Sequence, residues 1–474
     1  MFAGSALAVA RERRSTLQFA GLFGLVGVAL CFLMKDFAID DALISVRYAR
    51  NLASGAGYRF NVGDPSTDGV TPLPWAFILA PFANAGALSV FFRARVIGAA
   101  TYVVTLSLIG WHVGKSETLV LRLAALALAV VSVAPAAYAM SGMETSVATA
   151  LVTLAVLLRE KPLVATTLAG LAAAFRPEAA GFAVAFSLTL GFEAARPILV
   201  LRDMSLSMLP LIVTSIVRYA AWAVAVPLAA IAKPSSPGLG LTYAGAGVLS
   251  TGVLMVGIAP FALARAARKT QALAAGLVAH FACIALAGGD WMPLARLWVP
   301  VLPVVPLLFL ELALVSAKWA MWSRWALGIA LAVGFGGRAA FVHRVLLPAR
   351  LSAIAQAAPL LRDERVATVD VGWVSAATDG YIFDMAGVTN PPVAALPGGH
   401  TSKRISLRML RDHDVTRVLL WASAAPTSLE RWKDVPFPRH VEARLAQELA
   451  TWPAVAWVPV GNRGGYVLLS KPLE

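Results

Sequence analysis

The chain alternates long apolar runs with short polar joints. The first run, Leu17 to Met34, follows a basic cluster of Arg11, Arg13 and Arg14. Others lie near residues 92–111, 119–138, 145–158, 163–175, 178–192, 205–226, 245–264, 271–287, 297–316 and 325–341. A bilayer core about 30 Å thick takes roughly 20 apolar residues in helical form, so runs of this kind predict membrane spans, about eleven in all. The first run has the order of a secretory signal. No A-x-A-like cleavage site follows it, however, and many spans come after, so it reads as an anchoring helix with its basic end cytoplasmic.

One stretch decides the topology. Leu73 to Leu88 is apolar but carries Pro72, Pro74 and Pro81 near its start. Read as a juxtamembrane or re-entrant helix, it leaves Lys115, Arg159, Lys161, Arg196, Arg202, Arg265, Arg268, Lys269, Lys318 and Arg324 cytoplasmic, as the positive-inside rule prefers. The same parity gathers five polar stretches on the outer face: Asp40-Asp41, Ser141 to Thr145, Arg176-Pro177-Glu178, Lys233 to Ser236, and Gly288 to Trp291.

Beyond about residue 342 the pattern changes. Val366–Val371 and Val415–Trp421 read as strands with a helical stretch near Ser402–His413, and Ala454–Val460 and Gly465–Leu469 flank Gly461-Asn462-Arg463-Gly464 as a hairpin. The expected fold is therefore mainly α: a polytopic membrane helical bundle over residues 1–342, with juxtamembrane helices in its first outer loop, and a soluble outer α/β domain over 343–474.

Composition agrees with this division. The 474 residues are 59% hydrophobic and 14% charged, against about 25% charged in soluble domains, which excludes a single soluble globule. The net charge of +14 comprises 25 basic and 14 acidic residues up to 342, and 15 and 12 beyond it. The cations stand singly between apolar runs rather than on one basic face, so nucleic acid is not an expected partner. Cys31 and Cys283 both lie in apolar runs, which leaves no disulfide framework and no CxxC metal motif.

Five polar helix ends on one side of a bilayer suggest a shared watery cavity. Asp40 and Asp41, adjacent carboxylates after the first span, are either a cap for the following helix or a working pair, and the roles are compatible. A carboxylate here suits a general base, provided an acceptor hydroxyl comes within hydrogen-bond reach. Arg176, Arg218, Lys233 and Arg296 fall on the same side, either as interfacial cations or as holders of a phosphate leaving group. Glu144 and Glu178 each open an apolar helix, where the alternative to a substrate contact is stabilisation of the helix dipole. Asp290 and Trp291 follow a glycyl turn that suits a sugar or an ordinary interfacial turn. Arg47 and Tyr48 follow the aspartates by one to two helical turns. The loop Gly55 to Trp75, with Asn61, Asp68 and Thr71, reads either as a glycan-contacting surface or as a structural lid. No chemistry is placed on His400, which has no triad or metal partners.

These residues carry a resemblance. Asp40-Asp41-Ala42-Leu43-Ile44-Ser45-Val46-Arg47-Tyr48-Ala49-Arg50-Asn51-Leu52, continuing to Gly63, is similar to the start of the first outer loop in bacterial GT-C glycosyltransferases. The likeness is to those grouped with the mycobacterial terminal β-(1→2) arabinofuranosyltransferase. Similar in order and spacing are Gly142 to Thr145, Arg176 to Glu178, Arg218-Tyr219 through Pro227 and Lys233, and Gly288 to Pro293 with Arg296 and Pro300. In the outer domain, Val369 to Gly372 and Asp384 to Gly387 are also similar.

The resemblance implies an inverting transferase of the bacterial plasma membrane with its site facing outward. It would move a sugar from a polyprenyl-phosphate donor to a glycan or lipid acceptor, with membrane lipids around it. Asp40 or Asp41 would be the base. Arg176, Arg218, Lys233 and Arg296 would hold the donor phosphate, and Arg47, Tyr48, Asn61, Trp75, Glu144, Glu178, Asp290 and Trp291 would line the substrate site. A divalent cation assisting the carboxylates is left open, as are the sugar and the acceptor. The chain departs from the pattern at Leu43, Pro74, Ala220-Ala221-Trp222 and Pro227-Leu228-Ala229, so arabinose specificity does not carry over. The alternatives are a transporter or flippase of lipid-linked sugars, against which stands the lack of an inverted repeat, and a non-catalytic envelope-assembly protein.

Overall fold

The computed structural model describes residues 2–116, 118–193, 197–462 and 464–472; Arg196 and Arg463 lie outside them. The protein is mainly helical, 65% helix and 5% strand, with a small C-terminal sheet. Five helical stretches are long and apolar enough to cross a membrane: Glu12–Leu33, Ala87–Val113, Pro197–Trp222, Arg268–Ala287 and Lys318–Leu361.

Other apolar runs form shorter helices, among them Leu119–Val131, Thr145–Leu157, Pro162–Phe175, Ala179–Phe192 and Val304–Ala313. At 1.5 Å per residue, a helix of about 14 residues reaches only about 21 Å. Local chemistry explains where they stop. The run near 119–138 breaks at Ser132 before a separate helix, Ala134–Ala139. The run near 245–264 divides at Gly252, whose φ is +79°, and again before Pro260. Leu73–Phe82, with Pro81 in its final turn, is likewise too short to span.

The chain forms two compact units. The first comprises Met1–Phe37, Arg95–Thr214 and Ser235–Arg344; the second comprises Ala38–Ala94, Ser215–Pro234 and Val345–Glu474. The longest piece of the second unit starts close to the compositional break near residue 342. No shift in composition announces the two earlier pieces.

Helices of the first unit approach closely where glycine removes a side chain. A Cβ at Gly181 would lie 2.5 Å from the Ala279 carbonyl oxygen and 2.6 Å from the Cys283 sulfur. Small residues at such crossings allow the backbone contact that drives helix association in lipid.

The second unit is organised by a five-stranded sheet in the order β2-β1-β3-β5-β4, formed by β1 (Val366–Thr368), β2 (Ile382–Asp384), β3 (Arg417–Ala422), β4 (Ala454–Pro459) and β5 (Gly465–Ser470). β1 pairs parallel with β2 and β3, while β5 pairs antiparallel with β3 and β4. The expected hairpin is thus β4–β5. The strand expected over Val366–Val371 ends at Thr368, and the chain turns at once into the helix Val371–Ala377. The helix expected near Ser402–His413 contracts to Leu407–Asp412, where the Ser406 side chain accepts from the Met409 amide as its cap. Under the sheet, Phe383, Leu410, Val418, Leu420, Leu445 and Val467 form part of a fully buried core. The helices Asp41–Ala53 and Leu346–Leu361 both pack on Val371–Ala377.

Candidate functional site

In the second unit, Asp40 is half-buried where the chain enters the helix Asp41–Ala53. It occupies the N-cap position of that helix, but its side chain makes no capping bond there. Instead, its carboxylate accepts hydrogen bonds from the amides of Gly372 (3.1 Å) and Trp373 (2.6 Å). The expected cap therefore serves a different helix, Val371–Ala377.

The residue preceding that helix, Asp370, is a second carboxylate with its own partners. Arg439 donates to both its oxygens at 2.7 and 3.1 Å, and the Tyr466 hydroxyl donates at 2.5 Å. Tyr466 in turn accepts from Arg350 at 3.1 Å. The arginine at Asp370 keeps that carboxyl below the usual carboxylate range despite its burial. Asp40 moves the opposite way, up to about 7. Loss of solvation is the main cause, the charges of Asp370 and Asp41 add to it, and Arg350 and the Trp373 amide oppose it. Asp41, next in sequence, is also half-buried.

Four of the residues expected to line the substrate site are buried and tied into the framework. Arg47 is 4% exposed and donates to the carbonyls of Phe60 (2.6 Å), Thr378 (3.1 Å) and Gly380 (2.7 Å) and to the Asn61 side chain. Asn61 completes a two-way bond with the backbone of Ile382, the edge strand of the sheet. Tyr48 is fully buried, its hydroxyl paired with Thr67 at 2.6 Å and accepting from the Gly69 amide. Trp75 is fully buried as well. The loop Gly55 to Trp75 is thus tied down at Phe60, Asn61, Thr67 and Gly69 by bonds to Arg47, Tyr48 and Ile382.

The predicted phosphate-binding cations divide by their partners. Arg218 is buried and bonds the buried Asp68 at 2.6 Å and the carbonyl of the half-buried Thr71. In the first unit, Arg176 is 3% exposed and clamped between Glu144 (3.0 Å) and Glu178 (2.6 Å). Arg296 pairs with Asp290 at 2.6 Å. Both arginines are thus engaged by carboxylates of the same unit. The roles expected for Glu144, Glu178 and Asp290 resolve into charge partners of the arginines. Lys233, half-buried at the end of the helix Leu228–Ala232, has no ion pair among the described residues. Trp291 remains 55% exposed.

Arg350, Arg439 and Tyr466 escape a reading of sequence because the sheet unites them from distant segments. Asp370 lies within Val369-Asp370-Val371-Gly372, a stretch the resemblance marks, and that was its available signal. Among the described residues no group of three or more His, Cys, Asp or Glu is arranged to hold a metal ion. Comparison with known proteins finds no matching family model, no matching curated protein and no matching solved structure.

Proposed function

We propose that the chain is an inverting membrane glycosyltransferase of GT-C type, with about eleven crossings of a bacterial plasma membrane and its site on the outer side. It moves a sugar from a polyprenyl-phosphate donor to a hydroxyl of a glycan or lipid. Asp40 is the general base. The acceptor oxygen bonds to the anomeric carbon from the face opposite the leaving group, the bond from that carbon to the phosphate oxygen breaks, and the acceptor proton passes to Asp40. The polyprenyl phosphate departs with the bonding electrons, and Lys233 is the cation offered to it.

The observation that carries this reading is the placement of Asp40, a half-buried carboxylate after the first apolar helix that is aimed by the Gly372 and Trp373 amides. Burial pushes this carboxyl up to about 7, into the range where a general base both takes up and releases a proton near neutral pH. An ordinary solvated carboxylate is a much weaker base. Arg176 and Arg296, already neutralised, act as framework.

The test is sugar transfer from a panel of polyprenyl-phosphate donors by Asp40→Asn, Asp41→Asn and the double variant. Asparagine keeps one oxygen for the Trp373 amide and leaves the Gly372 amide without an acceptor, so thermal midpoints measured beside transfer separate loss of the base from loss of that bond. A fall of at least about a hundredfold in Asp40→Asn is expected from loss of a general base. Wild-type transfer in all three variants overturns the assignment.

A further inference from the structure

We propose that Arg350 is a positioning residue for Asp40: projecting from the helix Leu346–Leu361, tethered through Tyr466 to Asp370 and lining the same small cavity as Asp40, it supplies the positive charge beside that carboxylate. This rests on the reading of Asp40 as the base and deepens it. The C-terminal sheet then becomes part of the catalytic machinery, through charge rather than substrate contact.

The geometry has three parts. Asp40, Arg350 and Trp373 line one small cavity of about 20 Å³, otherwise walled mainly by apolar side chains such as Leu43, Phe91 and Leu351. That is space for about one water, so solvent screens the two charges poorly. The second part is the tether. Tyr466 of β5 is fully buried, its ring 4.8 Å from that of Trp373 and 5.0 Å from that of Trp421, and its hydroxyl joins Arg350 to Asp370. Asp370 is itself fixed by the two-pronged bond from Arg439. A guanidinium held in this way cannot swing out to solvent without breaking the chain of bonds. The third part is the shared backbone: Asp370 immediately precedes the helix whose amides at Gly372 and Trp373 hold Asp40.

The charged groups around Asp40 are Asp41 on its own segment, Asp370 before the Val371–Ala377 helix, and Arg350 from the Leu346–Leu361 helix. Arg439 and Glu442 lie behind Asp370. Asp41 and Asp370 thus weigh against ionisation of Asp40, and Arg350 weighs in favour of it. An opposite charge at close range lowers a carboxyl by roughly one to three pH units.

The experiment titrates Asp40 directly in the full-length protein in lipid nanodiscs, by carbon-13 NMR of labelled aspartate carboxyls. The Asp40 signal is the one lost in Asp40→Asn. Arg350→Met is expected to raise its midpoint by at least about one pH unit, and Asp370→Asn to lower it by a comparable amount. Opposite signs from two neighbouring substitutions are not the signature of loosened packing. Arg350→Lys, which keeps the charge, should return the midpoint most of the way to wild type. If Arg350→Met does not fold, Tyr466→Phe replaces it, because releasing the tether should also raise the midpoint.

An unmoved midpoint in folded Arg350→Met, or in Tyr466→Phe where that variant stands in, overturns the role of Arg350 and leaves the base assignment intact. A midpoint that moves while the acid limb of the transfer profile stays fixed keeps the role of Arg350 and removes Asp40 as the base.

Discussion

Gly372 donates its amide to the Asp40 carboxylate, and it does so at a distance no other residue type allows. A Cβ at this position would lie 2.7 Å from the Asp40 carbonyl carbon and 2.8 Å from its carboxylate carbon. Gly372→Ala is therefore expected to push Asp40 off the Val371–Ala377 helix. The overpacking should destabilise the protein by about 1–3 kcal/mol. Transfer activity should fall further than stability does, because the carboxylate itself is displaced. Thermal midpoints and transfer rates of the purified variant check this; an alanine variant with wild-type values for both would contradict the contact.

Arg176 should prove a structural residue. Replacing it with alanine leaves Glu144 and Glu178 buried without their counter-charge, a change that typically costs about 3–5 kcal/mol. The expected result is a large drop in thermal midpoint in detergent, with Glu144→Gln in the same background restoring part of it. A stable Arg176→Ala protein whose only defect is a raised donor KM would return the arginine to phosphate binding.

Lys233 should behave in the opposite manner. Among the described residues it has no ion pair, so its removal orphans no carboxylate. Lys233→Ala is expected to keep the wild-type thermal midpoint and raise the donor KM about tenfold, the equivalent of one charged hydrogen bond of about 1.5 kcal/mol. Equal donor KM values in the two proteins would remove it from the site.

Glu442 makes stability depend on pH. Its side chain is fully buried and its carboxyl accepts from the Trp421 amide, and burial pushes it from 4.5 up to about 8. The folded protein thus holds a proton that the unfolded chain has released between those values. Stability from this group is fully present below pH 4.5, declines as pH rises and is lost above about 8. Glu442→Gln should match wild type near pH 4.5 and exceed it at pH 8.5 by at least about 1 kcal/mol, since a tenfold difference in proton affinity between the folded and unfolded chains corresponds to about 1.4 kcal/mol. Thermal midpoints at the two pH values decide the matter, and parallel loss at both would contradict it.

Much of the helical architecture and the β4–β5 hairpin was legible because each depends on neighbours in sequence. Apolar runs report burial, and a turn rich in glycine reports a hairpin. Helix lengths were less legible: Ser132 and Gly252 end helices through backbone geometry that a hydropathy pattern does not register. At the candidate site the residue types were legible and their partners were not. Arg47 and Asn61 look like sugar ligands in a loop rich in polar groups, yet their donors are consumed by carbonyls more than 300 residues away. Arg176 and Arg296 have near neighbours in Glu178 and Asp290, whereas Glu144 reaches Arg176 only when its helix packs there. Charge compensation across distant segments leaves no local trace.

The three-piece construction of the second unit also sets a schedule for synthesis. Asp40 waits for an amide 332 residues downstream, which at roughly 5–20 residues per second is tens of seconds of translation. Through that interval the Asp41–Ala53 helix lacks the surface it packs on, and Arg47 lacks three of its carbonyl acceptors. A ribosome stalled before residue 372 would therefore leave the Asp40 carboxylate without either amide that holds it. Completion of the last strand is the event that turns the nascent chain into a durable protein.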